Sequence, residues 1–482
     1  MRKWIHYTFS LFFLCDFLST AHATSFVGLI GANYQPQHYA LVNTLNSHDV
    51  FYAGGGTTPF TNIYTELSQL KAAGVTVVRS YATTQYSWVA IINAANALGL
   101  SVIYEAVIPQ VDGNCTSTQY PNNCPAVSSA TTLLTNVINA VGVTTFNNTV
   151  ILIFAGHENL DTPDQFGNPS NAQYLISAVH NLEKVTTVPV GGTFISPSLV
   201  TPPSLPSGYS VANIISSYSN GAPAGFDPYP FQWGVPIADA VTNASTVNSI
   251  QWDYNAVVAN KITGNRSIFM AESGWATAGT TNPDYACGTG SYPACDPSIA
   301  NAATYFPALY TFVRTASNNA GVLAFEAYDE PAKGDATDME TYYGLFDSDC
   351  NLKGPNNTAL VPAGASYIPG DYHACQGFSL GALFVVNGQF AHTPVTVQIT
   401  QTNPETNLNA SMTVTGINAN TTTGNDGGEW PYFLVFTGAT FVITDNTGTQ
   451  CTGTISGIDG SQNITFSSVS GCGCSNNACF PA

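Results

Sequence analysis

Between Ser25 and about Tyr328, short apolar runs alternate with stretches whose apolar residues recur at i, i+3 and i+4. The runs Phe26–Asn33, Val75–Tyr81, Ser101–Val107, Val150–Ala155, Val188–Gly192, Ala224–Tyr229, Ile268–Ser273 and Val322–Tyr328 read as buried strands. Between them, Ile63-Tyr64-Leu67-Leu70, Trp88-Ile91-Ile92 with Ala95, and Leu175-Ile176-Val179-Leu182 have the spacing of helices laid on a core. Strands alternating with helices predict a parallel sheet, and eight of them predict a (β/α)8 barrel of the α/β class. A doubly wound open sheet is the alternative; it usually carries a Gly-rich phosphate turn after its first strand, and Gly28-Leu29-Ile30-Gly31 is not such a turn. The eighth helix is weakly marked, because the chain after Tyr328 is rich in Gly, Pro and Asp.

The pattern changes near Cys375. Beyond Lys353 there is no Lys or Arg, and Thr, Ser, Asn and Gly dominate. Alternating runs at Val395-Val397-Ile399, Met412-Val414 and Phe441-Val442-Ile443 predict a small all-β domain, a sandwich or short barrel. The expected organisation is a leader over 1–23, a barrel over 24–376 and a β domain with a cysteine-locked tail over 377–482.

Charge narrows the partners. Of 482 residues only 8% are charged, ten Lys and Arg against 29 Asp and Glu, well under the roughly 25% of an ordinary domain. That balance argues against nucleic acid or an anionic membrane surface as a partner, since phosphate neutralisation needs clustered bases. Arg2 and Lys3, the apolar run from Phe9 to Leu18 and Ala21-His22-Ala23 form a signal-peptide pattern cleaved after Ala23. The run is too short to span a bilayer, and no later segment looks membrane-spanning. Ten cysteines remain after Cys15 is removed, an even number that suits a secreted disulfide framework. Close spacing suggests Cys115 with Cys124, Cys287 with Cys295, and Cys350 with Cys375, leaving Cys451, Cys472, Cys474 and Cys479 to pair among themselves. Zinc is the rival for that last group, but C-x2-C and a suitably spaced His pair are both missing.

Barrel enzymes carry their chemistry at strand C-termini. The fourth predicted strand runs into Gly156-His157-Glu158, and the seventh ends in Glu272-Ser273-Gly274-Trp275. Two carboxyl groups facing each other across a cleft are what glycoside hydrolysis requires, one to protonate the leaving oxygen and one to attack or stabilise the anomeric carbon. A lone Glu at a strand end is more often an ion-pair or hydrogen-bond partner, and spacing in sequence does not measure their separation.

Further blocks decide between these. Ile30-Gly31-Ala32-Asn33-Tyr34, Arg79-Ser80-Tyr81, Gly156-His157-Glu158, Asp227-Pro228-Tyr229-Pro230-Phe231, Glu272-Ser273-Gly274-Trp275, Phe325 through Lys333, and Glu340-Thr341-Tyr342-Tyr343-Gly344-Leu345-Phe346 occur in this order. From Gly28 to about Phe346 the chain resembles glycoside hydrolase family 17, the β-1,3-glucanase family. The resemblance implies a retaining mechanism on β-glucan polysaccharide or oligosaccharide, with Glu158 as acid/base and Glu272 as nucleophile. It also implies substrate-binding roles for Tyr34, Arg79, Tyr81, His157, Tyr229, Trp275, Glu330 and Lys333. Lys333, paired with Glu330, is expected to hold Glu272 ionised while Glu158 stays protonated. Tyr34 and Trp275 are the chosen sugar contacts among the strand-end aromatics. One departure stands out: the family has Asn before the acid/base, and this chain has His157. Substrate choice, rate or pH profile is expected to respond, and loss of chemistry on a retained glucan-binding barrel is the rival function. Transglycosylation is the close relative of hydrolysis.

Other patterns are weaker. Glu105 ends the third strand without a motif and is expected to be a hydrogen-bond partner at the mouth. Gly377-Phe378-Ser379-Leu380-Gly381 fits G-x-S-x-G, but the run that follows is β-like rather than helical. Trp430-Pro431-Tyr432-Phe433 reads equally as sugar platform or core. No cofactor or metal is called for, and a monomer is expected.

Overall fold

The computed structural model describes residues 26–36, 50–52, 62–82, 85–108, 125–159, 169–203, 210–282, 285–315, 321–334, 336–348, 350–354, 358–368, 382–386, 395–402, 409–417, 432–459, 463–475 and 478–481. Eight parallel strands close into a barrel: β1 (Ile30–Asn33), β3 (Val77–Ser80), β4 (Ser101–Ala106), β5 (Val150–Ala155), β6 (Val190–Ile195), β7 (Ala224–Asp227), β8 (Ile268–Ser273) and β9 (Val322–Ala324). Closure is made by β1, whose Gly31 lies opposite Val77 on one side and Leu323 on the other. The strands are buried on both faces, which is why they read as continuous apolar runs rather than alternating ones.

Helices α1 (Asn62–Ala72), α2 (Gln85–Leu98) and α5 (Pro169–Glu183) bury the stripes that the periodicity marks: Ile63, Leu67 and Leu70 on α1, Trp88, Ile91, Ile92 and Ala95 on α2, Leu175, Val179 and Leu182 on α5. Pro125–Val141 (α3) and Val143–Thr149 (α4) precede β5. Ser196–Val200 (α6), Val211–Ser216 (α7), Ile250–Asn260 (α8) and Ile299–Thr315 (α9) follow in chain order.

Six of the eight strands differ from expectation at a boundary, and the reason is plain for two of them. Pro189 has no N–H, so β6 begins at Val190, and parallel neighbours carry it through Gly191 and Gly192 to Ile195. The last strand stops at Ala324 because the following residues pair elsewhere: the amide of Glu326 donates to the Tyr343 carbonyl, and those of Leu345 and Phe346 to Glu326 and Ala327. Between β9 and the strand Ala382–Val386 the helical turns among the described residues are all 3-10.

Past the barrel, two five-stranded sheets pack face to face. One has the order β12 (Asn409–Ile417), β11 (Val395–Thr402), β14 (Thr440–Thr444), β15 (Gln450–Ile458), β16 (Ile464–Ser470). The other runs β17 (Cys472–Ser475), β18 (Ala478–Pro481), β10 (Ala382–Val386), β13 (Tyr432–Val435), β2 (Val50–Tyr52). Phe384 of β10 meets Phe441 of β14 at 5.0 Å between ring centroids, and Phe433 is buried beside it, so that residue of the Trp430 platform is core. The edge strand β2 comes from the segment between β1 and α1; Val50, Phe51 and Tyr52 lie opposite Tyr432, Phe433 and Leu434.

Disulfides join Cys287 to Cys295, Cys451 to Cys472 and Cys474 to Cys479, which leaves no thiolates there for zinc. Cys115, Cys124, Cys375, the G-x-S-x-G run at 377–381 and the leader with its cleavage position lie outside the described residues. No helix among those described is long and apolar enough to cross a membrane.

Candidate active site

The site is built where β3, β4, β5, β7 and β8 end. Beyond Ala155 the chain turns sharply through Gly156, at φ +81°, into His157 and Glu158, the latter also left-handed at φ +48°. A Cβ on Gly156 would lie 2.0 Å from Oδ1 of Asn159, whose Nδ2 donates to the Ile108 carbonyl at 2.9 Å, so only glycine fits the turn. On β8, Ser273 donates to the Pro228 carbonyl at 2.6 Å and fixes β8 to the end of β7. Gly274 passes so near β9 that a Cβ would meet the Phe325 carbonyl at 2.1 Å.

Glu272 is 4% exposed and held from all sides. Its Oε1 accepts from the Tyr81 hydroxyl and from Arg79 Nη1 at 3.3 Å, and lies 3.0 Å from His157 Nε2. Its Oε2 accepts from the Tyr229 hydroxyl at 2.7 Å. Arg79, fully buried, donates through Nε to Glu105 Oε2 at 3.0 Å, with Nη2 in ion-pair range of the same oxygen at 2.9 Å, so Glu105 anchors the guanidinium. Burial alone would raise the Glu272 pKa, but the His157 charge, the Arg79 charge and the Tyr81 hydrogen bond pull it down to about 2. Glu158 moves the other way: burial, opposed by His157 and reinforced by the Asp227 and Glu272 carboxylates, holds it well above the usual carboxylate range. The surroundings of His157 favour its cation. Burial disfavours its charge, yet Glu272, Glu158 and Asp227 together lift the imidazole well above its ordinary value. One residue type thus supplies an ionised and a protonated carboxyl side by side.

His157, Glu158, Asp227 and Glu272 each bring one donor atom within 4.8 Å of the others. The set converges closely enough for a metal ion, and equally for shared protons beside the guanidinium. Next to it opens a cleft of about 310 Å3 lined by Glu158, Asp227, Glu272, Tyr229, Trp233 and Glu340, among others, a size at the lower end for small-ligand pockets. Trp233 is half-buried, with Tyr292 at 5.2 Å.

Of the residues singled out from sequence, Glu158, Glu272, Arg79, Tyr81, His157 and Tyr229 come together. Tyr34 and Trp275 do not reach the cleft surface. Tyr34 is buried with its hydroxyl on Glu66, and Trp275 is buried with Nε1 donating to the Asp296 carbonyl at 3.1 Å. Their motifs serve packing around the site. Lys333 pairs with Glu326 at 2.7 Å and sits 3.5 Å from Glu330; the cations beside Glu272 are Arg79 and His157 instead, because they lie on neighbouring strand ends. Asp227 went without a role in the sequence, although its place at a strand end matches that of the two glutamates. Glu326 was likewise hidden within its block.

No protein-family model matches the chain, and no curated protein does. Solved structures similar to it include an endo-laminarinase from Formosa Hel1_33_131, 14% identical with a TM-score of 0.46, the match covering 67% of this chain and 85% of that one. A β-1,3-glucanase and allergen of Cryptomeria japonica pollen is 18% identical with a TM-score of 0.43, covering 67% of this chain and 97% of that one. A GH5_18 protein of Bifidobacterium longum subsp. longum is 13% identical with a TM-score of 0.42, covering 69% and 77%.

Proposed function

We propose that the protein is a secreted retaining glycoside hydrolase of the β-1,3-glucanase type, with Glu158 as acid/base and Glu272 as nucleophile. One observation carries this: the two glutamates bring carboxyl oxygens within 4.8 Å of each other, in surroundings that raise the pKa of Glu158 and lower that of Glu272. Retaining enzymes hold their carboxyl groups about 5–5.5 Å apart, whereas inverting enzymes leave about 6.5–9.5 Å for a water between them.

In the first step Glu158 gives its proton to the glycosidic oxygen as the C–O bond breaks, and Glu272 forms an ester to the anomeric carbon. Tyr81 and Tyr229 keep the attacking carboxylate aimed and ionised. In the second step Glu158, now a carboxylate, takes a proton from water; the water oxygen bonds the anomeric carbon and Glu272 leaves. A sugar hydroxyl in place of water gives transglycosylation. The β-1,3-glucan preference rests on the residue blocks of the sequence.

The test is reducing-sugar release from laminarin by the mature protein, with cellulose and mixed-linkage glucan as controls. Release that disappears in Glu272→Gln supports the assignment; products longer than the starting oligosaccharide identify transglycosylation. Glucan binding without turnover by the wild type supports the rival reading, a binding protein, which the His157 contact with the nucleophile favours.

A further inference from the structure

We propose that Asp227 is the positioning residue that keeps the acid proton on Glu158: the two carboxyl groups share one proton, and Thr193 fixes Asp227 for that purpose. The catalytic consequence rests on the glycosidase assignment above; the shared proton is argued from the placement and charges of the groups at the site.

Asp227 closes β7 at 3% exposure. Its Oδ2 accepts from Thr193 Oγ1 of β6 at 2.6 Å. No hydroxyl, amide or cation among the described residues donates to its Oδ1, which is fully buried. Such an atom is costly to leave unmet, and a Glu158 carboxyl oxygen lies within 4.8 Å of the Asp227 carboxylate. A proton on Glu158 meets that need.

Charge leads to the same place. The carboxyl groups facing this site are Glu105 from β4, Glu158 after β5, Asp227 from β7 and Glu272 from β8; Glu340 lies further along the cleft wall. Against the first four stand two cations. Arg79 is committed to Glu105 and Glu272, and His157 is nearer Glu272, at 3.0 Å, than Asp227, at 3.6 Å. Tyr81 and Tyr229 direct their hydroxyls at Glu272. Ionising all four would leave two negative charges uncompensated in a largely buried site, so one carboxyl keeps its proton. Burial and the Glu272 charge raise the Asp227 pKa, but His157, Arg79 and the Thr193 hydrogen bond oppose that rise, whereas Glu158 is held well above the usual carboxylate range; the proton is therefore assigned to Glu158.

The arrangement serves both halves of the reaction. Before attack Asp227 holds the proton on Glu158. Once that proton has gone to the leaving oxygen, the repulsion between two bare carboxylates drives Glu158 to take a proton from the incoming water.

Asp227→Asn tests this, because it keeps the shape and removes the charge. Glu158 then loses its proton at lower pH, and the alkaline limb of the kcat/KM profile moves to lower pH by about one unit. On laminarin, kcat/KM falls about 10- to 100-fold, whereas on dinitrophenyl β-laminaribioside, whose leaving group needs no proton, it falls less than about threefold. A purely structural Asp227 predicts equal losses on both substrates and an unmoved limb, and either result overturns the proposal. Thr193→Val is the second variant should the first fail to fold; it gives the same leaving-group selectivity in milder form. If the wild type cleaves no glucan or aryl glycoside, the functional assignment fails and infrared spectroscopy still decides the pair. A carboxylic-acid C=O band at neutral pH that disappears in Glu158→Gln supports the shared proton, and its absence from the wild type overturns it.

Discussion

Replacing His157 by Asn, the residue of the resembled family, is the perturbation whose sign the structure fixes most sharply. The imidazolium lies 3.0 Å from Glu272 Oε1, and at an effective dielectric of about 20 such a pair is worth roughly 5 kcal/mol. The imidazole side chain is 34% exposed, so solvent screening, together with the hydrogen bond that Asn itself can offer, reduces the net loss to about 1–2 kcal/mol. That corresponds to about one pH unit. His157 opposes the effect of burial on both glutamates. Its removal therefore raises both: Glu272 needs a higher pH to ionise, and Glu158 keeps its proton to a higher pH. The whole bell of kcat/KM on laminarin shifts alkaline by about one unit, with both limbs moving together. Asp227→Asn moves the alkaline limb the opposite way, so the two variants serve as mutual controls. The assay is initial-rate reducing-sugar release across pH at constant ionic strength. A profile in His157→Asn that stays put, or moves acidic, refutes the electrostatic account of the site.

Tyr229→Phe removes a hydrogen bond to a charged carboxylate, worth about 1.5–3 kcal/mol; kcat on laminarin should fall at least tenfold, and a loss under about twofold contradicts the role. Away from the site, burial pushes Asp253 up to about 7 despite its hydrogen bond from Ser196. The unfolded chain releases that proton near pH 3.9, so stability declines as pH rises between about 4 and 7. Asp253→Asn should thus raise the melting temperature at pH 7.5 and leave it nearly unchanged at about pH 4; equal effects at both pH values would show that ionisation is not the cause. Deleting residues 378–482 takes away β13, the partner of β2, and calorimetry should show a lower melting temperature for the remaining barrel. An unchanged transition would mean that this pairing contributes nothing to the barrel.

Local pattern carried much of this molecule. Parallel strands buried on both faces must be continuously apolar, and helices covering them must be striped, so Val150–Ala155 and Ile268–Ser273 have the same bounds in sequence and structure. The carboxyls at strand ends were legible for the same reason, since the strand fixes which residue emerges at the mouth. What adjoins them was not. Which cation stands beside Glu272 depends on strand order around the barrel, and that order puts Arg79 and His157 there while Lys333 meets Glu326. Aromatic residues look alike in sequence whether they face the cleft or the core, and although all three are buried, only Tyr229 of Tyr229, Tyr34 and Trp275 lies in the cleft wall. The strand Val50–Tyr52 is three residues long, and its partner lies 382 residues further along the chain; no local pattern announces a pairing that only closure of the tertiary structure creates. The proton shared by Glu158 and Asp227 belongs to the same class, because it exists only where two strand ends are brought within reach in a buried site.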